Sequence, residues 1–337
     1  MIFTVPLLVM IYIKQKSDTD IQQTPPIAIT NSKTLNLRGI IRDLKLSEDS
    51  NIIYAVADSR GIYILDIQNP LEAKIISQFK YFKNSYDKSR SIELAKKRNI
   101  LFVRDAQAGI YSLDLENIAE PKLLTTYQSQ EQIYTFRISN NENYLYLIDE
   151  KSLKVLDITN FDTIKTIAAW EIKKKYSDII EVKENLLYLL SPSGIDIFDM
   201  SFHKTPQQVE EYIASGDVEK ITLSSDATRA FLSNGQSGVE ILDIANKMHP
   251  KALGIYRTSI TAKDTLISKD GAILYISDLE NTFETVDITN PDDAKQLQHI
   301  HINATNKAKI LDFDLSVNEN ILYVANGIAG FKIVRLR

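Results

Sequence analysis

The pentads Ile62–Asp66 (IYILD), Ile110–Asp114 (IYSLD), Leu153–Asp157 (LKVLD), Ile195–Asp199 (IDIFD), Val239–Asp243 (VEILD), Phe283–Asp287 (FETVD) and Phe331–Arg335 (FKIVR) state one pattern seven times along the chain. Their spacing is about 45 residues, within the range of propeller-type repeats. A residue present in every copy builds the frame, so the repeat fixes architecture while diluting each chemical clue.

Reading outward from the pentad gives the rest of the unit. Just before it stands a glycine in five copies (Gly61, Gly109, Gly194, Gly238, Gly330), with Ser152 and Thr282 in the other two. Glycine there permits the positive φ that a short hairpin requires. Before the glycine lies a strand centred on an aromatic residue: Tyr54, Phe102, Tyr146, Tyr188, Phe231, Tyr275 or Tyr323. Aromatic and β-branched residues suit a buried pleated surface. Earlier still, stretches such as Asp43–Ser47 (DLKLS), Ile221–Ser225 (ITLSS) and Asp312–Ser316 (DFDLS) alternate polar and apolar residues with period two, a strand signal. After the pentad, Asp-Ile-x-Asn-Pro, clearest at Asn69-Pro70 and Asn290-Pro291, reads as a turn capped by the aspartate. A fourth strand follows, as in Lys74–Phe79, Lys122–Tyr127 and Lys251–Tyr256.

Four antiparallel strands repeated seven times predict an all-β fold, a seven-bladed β-propeller. The seventh unit stops after its third strand, and the strand-like Thr34–Leu37 (TLNL) precedes the first unit. That segment is expected to complete the last blade and leave no open edge. The pentads, the preceding glycine and the Asp-Ile-x-Asn-Pro turn resemble the LVIVD repeat family over about residues 34–337. Ser201–Lys204 departs from the turn in the fourth unit, and Arg335 replaces aspartate in the seventh. The resemblance implies a propeller scaffold, found mainly in exported or surface-associated proteins, and no particular reaction.

The expected domains are an apolar segment over 1–13, a polar linker over 14–32 and the propeller over 33–337. Met1–Ile13 (MIFTVPLLVMIYI) is too short to cross a bilayer as a helix, reaching about 20 Å. Its length matches the apolar core of a secretory signal, although no basic residue precedes it. It reads as a truncated signal or signal anchor, hence an extracytoplasmic protein with a possible membrane tether; a buried N-terminal strand is the alternative. The 337-residue chain has a net charge of −5, which argues against nucleic acid as main partner. It contains no cysteine, which removes disulfides, thiolate metal sites and thiol nucleophiles.

Function is expected at the channel mouth, where inner strands begin. The residues placed there are Arg42, Asp43, Arg90, Ser91, Tyr134, Asp178, Glu219, Lys220, Lys263, Asp264 and Asp312, which differ from unit to unit. Either they form a binding surface or they solvate a water-filled channel. The connection Lys80–Ser89 adds Tyr81, Phe82 and Tyr86 among lysines, and Trp170 precedes Glu171–Tyr176; these aromatics read as anchors for sugars or peptides, or as covers for blade edges. The pentad aspartates, with Asp58, Asp105, Asp149 and Asp278, read as turn caps. Of the four histidines, His203 and His249 fall in turns on the opposite face, while His299 and His301 share one side of an outer strand. No Ser/His/Asp constellation, P-loop or dinucleotide fingerprint is found, and no cofactor is expected. The expected function is a non-enzymatic envelope scaffold, monomeric, that binds a protein or glycan. The alternative is a metal-dependent, lactonase-like hydrolase holding a hard cation on Asp43, Asp178, Asp264 and Asp312.

Overall fold

The computed structural model describes residues 27–28, 32–80, 89–105, 109–182, 185–202, 206–278, 280, 282–302 and 309–336. They form seven antiparallel sheets arranged as blades. Blade 1 is Asp43–Leu46, Ile52–Val56, Ile62–Asp66 and Lys74–Phe79 from the axis outward; blades 2 to 6 repeat that order. In blade 7 the inner three strands are Asp312–Leu315, Ile321–Ala325 and Phe331–Arg335. Its outer strand is Ser32–Leu35, paired antiparallel with Lys33 opposite Ile333 and Leu35 opposite Phe331. The head of the chain therefore closes the ring, two residues earlier than the expected Thr34–Leu37. Leu37 lies beyond the strand, with its N–H on the Leu35 carbonyl and its side chain in the neighbouring core. Ile27–Ala28 pairs in parallel with Ile300–His301 and adds a fifth strand to blade 6.

The core of the described residues consists of seven apolar clusters, one at each junction between blades. This is why the second and third strands are apolar on both faces: Ile62 to Leu65, for instance, are all buried. One face packs on the preceding blade and the other on the following one. The six pentad aspartates do cap their turns: each accepts the amide two residues on, as Asp66 from Gln68 at 3.0 Å and Asp287 from Thr289 at 2.9 Å. Asp149 and Asp278 likewise hold local amides. Asp58 does not fit that reading. It sits at φ 45° and pairs with arginines at the mouth.

The glycine before the pentad has a tighter reason than hairpin geometry. A Cβ on Gly194 would stand 2.0 Å from the Tyr212 carbonyl oxygen, and one on Gly330 would stand 2.5 Å from that of Leu35. At these two glycines the outer strand passes too close for a Cβ, whereas blades 3 and 6 accommodate Ser152 and Thr282 opposite Glu171 and His301.

The second pentad position, polar in an otherwise apolar strand, forms a repeated latch. Tyr63 Oη bonds the backbone of Arg38. Asp196 accepts Tyr176 Oη at 2.5 Å and Lys174 Nζ at 3.0 Å. Glu240 accepts Tyr212 Oη, the Ser215 amide and hydroxyl, and Asn234 Nδ2. Glu284 accepts Tyr256 Oη at 2.6 Å and the Ser259 amide at 3.1 Å, and Lys332 Nζ donates to the Ile302 carbonyl. Apart from Asn234, which lies in the hairpin of the same blade, each of these partners belongs to the chain arriving from the preceding blade. Buried carboxylates persist at this position because every oxygen is occupied.

Two expectations follow. Glu284→Ala, which removes the acceptor of the half-buried Tyr256 hydroxyl and of the Ser259 amide, should cost about 1–3 kcal/mol in urea unfolding; a loss under about 0.5 kcal/mol would show that the latch contributes little. Gly330→Ala should destabilise by more than Gly235→Ala, since Gly235, also at positive φ (57°), has open space around its Cβ position. The latter should cost only about 1 kcal/mol.

Candidate functional site

The inner strands point alternate side chains at the axis. Asp43 and Lys45 come from blade 1, Ser91 and Glu93 from blade 2, Thr135 and Arg137 from blade 3, and Asp312 and Asp314 from blade 7. All line a channel cavity of about 340 Å³ together with Arg42, Arg90 and Lys220. The intervening residues Leu44, Ile92, Phe136 and Phe313 are buried in the junction clusters. Period-two alternation thus sorts each strand into a core face and a channel face.

Most of the expected mouth residues converge, but they do so already paired. Arg42 Nη2 lies 3.1 Å from Asp58 Oδ2, and Arg90 Nη1 reaches the same carboxylate at 4.0 Å. Arg137, not among the expected mouth residues, donates from Nη2 to both oxygens of Asp178 at 2.9 Å and from Nη1 to Glu93 at 2.7 Å. Lys220 Nζ stands 2.6 Å from Asp264 and 3.9 Å from Asp312, and Lys263 pairs with Glu219. Asp312 also accepts the Leu44 amide at 3.0 Å, and Asp43 the Ile92 amide at 2.8 Å. Arg104 spans Ser91 Oγ and the Ile133 carbonyl. Most of these contacts run from one blade to its neighbour; Arg42–Asp58 and Arg104–Ser91 stay within a blade.

Tyr134 is not at the mouth. The ladder shifts register between Ile133 and Thr135, and Tyr134, the residue skipped by that bulge, is half-buried against the cluster of Tyr146, Tyr176 and Trp170. A similar shift between Ser89 and Ser91 leaves Arg90 as the skipped residue, beside Asp58. Trp170 is likewise packed rather than presented. Tyr81, Phe82, Tyr86 and His203 lie outside the described residues. His299 and His301 have ring centroids 5.4 Å apart on the outer strand of blade 6, and His249 Nδ1 meets Glu210 at 3.0 Å. Among the described residues no group of three or more acidic or histidine side chains has a metal-holding arrangement. Of the four carboxylates proposed for a cation, Asp178 and Asp264 face Arg137 and Lys220, and Asp43 and Asp312 face each other and Lys45.

The Asp43 and Asp312 carboxyls are hydrogen-bonded to one another. Burial holds Asp312 protonated well above the usual carboxylate range, and the neighbouring Asp43 charge adds to the effect. Burial also pushes Asp43 upward, but Lys45, the Asp312 hydrogen bond and the Ile92 amide outweigh it and leave Asp43 below its ordinary value. Asp264 and Asp314 are raised chiefly by burial. Burial opposes the charge on Lys220, yet Asp264 and Asp312 hold its ammonium above its ordinary value. Burial lowers Arg104 to about 10. The signal for the missed residues was present in the sequence: Lys45, Glu93, Arg137 and Asp314 each stand two residues after a chosen or neighbouring inner-strand position.

The model of the LVIVD repeat matches residues 134–161, which run from the inner strand of blade 3 to its turn before the fourth strand. No curated protein sequence matches the chain. Among solved structures, a functionally unknown protein from Desulfotomaculum acetoxidans DSM 771 aligns with a TM-score of 0.69 at 15% identity, covering 85% of this chain and 93% of that one. The chain is therefore a seven-bladed propeller carrying an LVIVD repeat, and that likeness shows the fold alone.

The carboxyl pair generates a pH test. Native Asp312 keeps a proton that the unfolded chain releases near 3.8, so it stabilises the fold in acid. This contribution is lost as pH rises from about 4 towards the raised native value, at up to about 1.4 kcal/mol per pH unit. Asp312→Asn removes the titration while keeping an acceptor for Leu44. The variant should match wild type near pH 4 and gain on it progressively towards pH 7 in urea unfolding. Parallel curves would mean that native Asp312 is ionised.

Proposed function

We propose that this propeller is a non-enzymatic binding scaffold of the cell envelope that engages a protein or glycan partner at its channel mouth. The observation that carries the reading is the contrast between fixed and varied positions. The pentads, turn caps and junction clusters repeat in nearly every blade, while the channel-facing residues differ from blade to blade and surround one cavity. Recognition residues vary on a frame that does not. The rim side chains, Arg42 and Arg90 on one side and Glu219 and Lys263 on the other, keep 26–41% of their surface in solvent. That exposure leaves them open to a partner's charges.

Extracytoplasmic residence rests on the apolar stretch Met1–Ile13, which lies outside the described residues. Export would present the mouth to envelope proteins or surface glycans.

The test is capture from native envelope extracts with wild-type protein and with Arg42→Glu/Arg90→Glu. The charge-swapped protein should keep its fold by circular dichroism and lose its principal partner by tenfold or more. Identical partner sets from both would remove the mouth as the recognition surface. Recovery of the chain solely from the cytoplasmic fraction would overturn the envelope assignment.

A further inference from the structure

A second cavity, of about 510 Å³, opens on the face opposite the mouth, between blades 7 and 1. Its walls are the Asp49–Asn51 turn, the Ile67–Leu71 turn of blade 1 and the Ser316–Asn320 turn of blade 7, with Tyr323 and Arg335 completing the lining. The sequence explains why a gap forms here. Four residues after the pentad aspartate, blades 2, 3 and 5 carry Ile118, Phe161 and Lys247. Phe161 lies 6.4 Å from the Phe102 ring of blade 2, and Lys247 is buried and receives Tyr188 Oη of blade 4 on its carbonyl. Those residues cover the second-strand aromatic of the preceding blade. Blades 1 and 6 have Pro70 and Pro291 at that position, and in blade 1 the cleft stays open, with Pro70 and Tyr323 both in its lining.

Arg335 sets the cleft apart from the equivalent turns of the other blades, whose asparagines it shares. Arg335 stands where six pentads have a turn-capping aspartate, and it is exposed. Asn51, Asn69, Asn318 and Asn320 supply amides around it; Asn51 already donates to Asp49, which also lines the cleft, while Asn318 and Asn320 accept from Ser316 Oγ and keep their NH2 groups for a ligand. The side chain of Asn69 makes no cap to its own turn, whereas the equivalent Asn290 accepts the Asp292 amide. Amides offer a donor and an acceptor at fixed separation, matched to vicinal hydroxyls, and a guanidinium offers a planar fork for a carboxylate. Leu71 and Val317 add an apolar wall for the C–H face of a ring.

We propose that this cleft is a binding site for an acidic saccharide, with a uronic-acid carboxylate on Arg335 and ring hydroxyls on the surrounding asparagines. It is independent of the mouth, since no residue lines both cavities.

The test uses the full chain and titrates digalacturonic acid, maltose and a triglutamate peptide by heat measurement and by side-chain amide NMR shifts. Digalacturonic acid should bind and shift the asparagine amides, with maltose at least tenfold weaker. Arg335→Ala should lose tenfold or more in affinity, Arg335→Lys less, and Asn69→Ala should weaken the acid and maltose alike. All three variants should melt as wild type does, because the replaced side chains are exposed. Arg42→Glu/Arg90→Glu should bind unchanged, which separates this site from the mouth. Absence of saccharide binding at millimolar concentration, affinity indifferent to Arg335, or an Arg335-dependent preference for the peptide would each overturn the proposal.

Discussion

The whole molecule rests on one antiparallel register, Ser32–Leu35 against Phe331–Val334. A repeat unit touches only its neighbours, so seven blades in an open row would share six junctions and expose two apolar faces. Zipping the head strand onto the tail creates the seventh junction and buries Ile41, Leu44, Tyr323 and Phe331 within it. That junction also completes the channel. The Leu44 amide reaches Asp312 across it, and the Asp43–Asp312 pair exists only because the ends of the sequence meet. Loop-closure entropy grows slowly with length, so joining strands that lie far apart in sequence costs little more than joining neighbours.

What the sequence made legible was local. Pentads, second-strand aromatics and the pentad aspartate caps follow short-range patterns that the structure uses as read, whereas the glycines answer to the outer strand that passes them and Asp58 pairs with arginines. The closing strand was placed two residues late because Leu35 and Leu37 alternate like a strand, whereas Leu37 has already turned into the core. Tyr134 was assigned to the mouth because a regular strand starting there would send it inward; the bulge at Ile133/Thr135 sends it into the junction instead. Bulges depend on the partner strand, and nothing in the Tyr134 segment announces one. Arg137 and Glu93 were missed for a different reason. Their importance lies in bridging blades, and those pairings span some forty residues.

The latch at the second pentad position hides for a related reason. Tyr63, Asp196, Glu240, Glu284 and Lys332 share a role but range from acid through phenol to amine, so the column looks unconstrained in sequence. Geometry supplies the constraint: the side chain enters the gap where the chain crosses from one blade to the next, and that gap contains unpaired backbone and hydroxyl groups. An acid meets the donors there, and a lysine meets a carbonyl. A buried carboxylate is costly unless fully hydrogen-bonded, so a misdocked crossover would leave a charge stranded. The position therefore opposes wrong blade packing at least as much as it favours the right one.

The same reasoning divides the channel by depth. Asp264 and Asp178 keep only 4% and 9% of their side-chain surface in solvent, and Asp312 keeps 14%. Each is committed to a cation, an amide or a second carboxyl on a neighbouring blade. Freeing one for a ligand would break a bond that sets the order of the blades, and its desolvation cost would remain. Arg42, Arg90, Glu219 and Lys263 sit higher and wetter, where an ion pair contributes little to stability and is readily exchanged for a partner's charge. Variation among blades therefore has two sources that look alike in sequence. Deep residues vary because each junction is solved separately, and rim residues are free to vary because little of the frame depends on them.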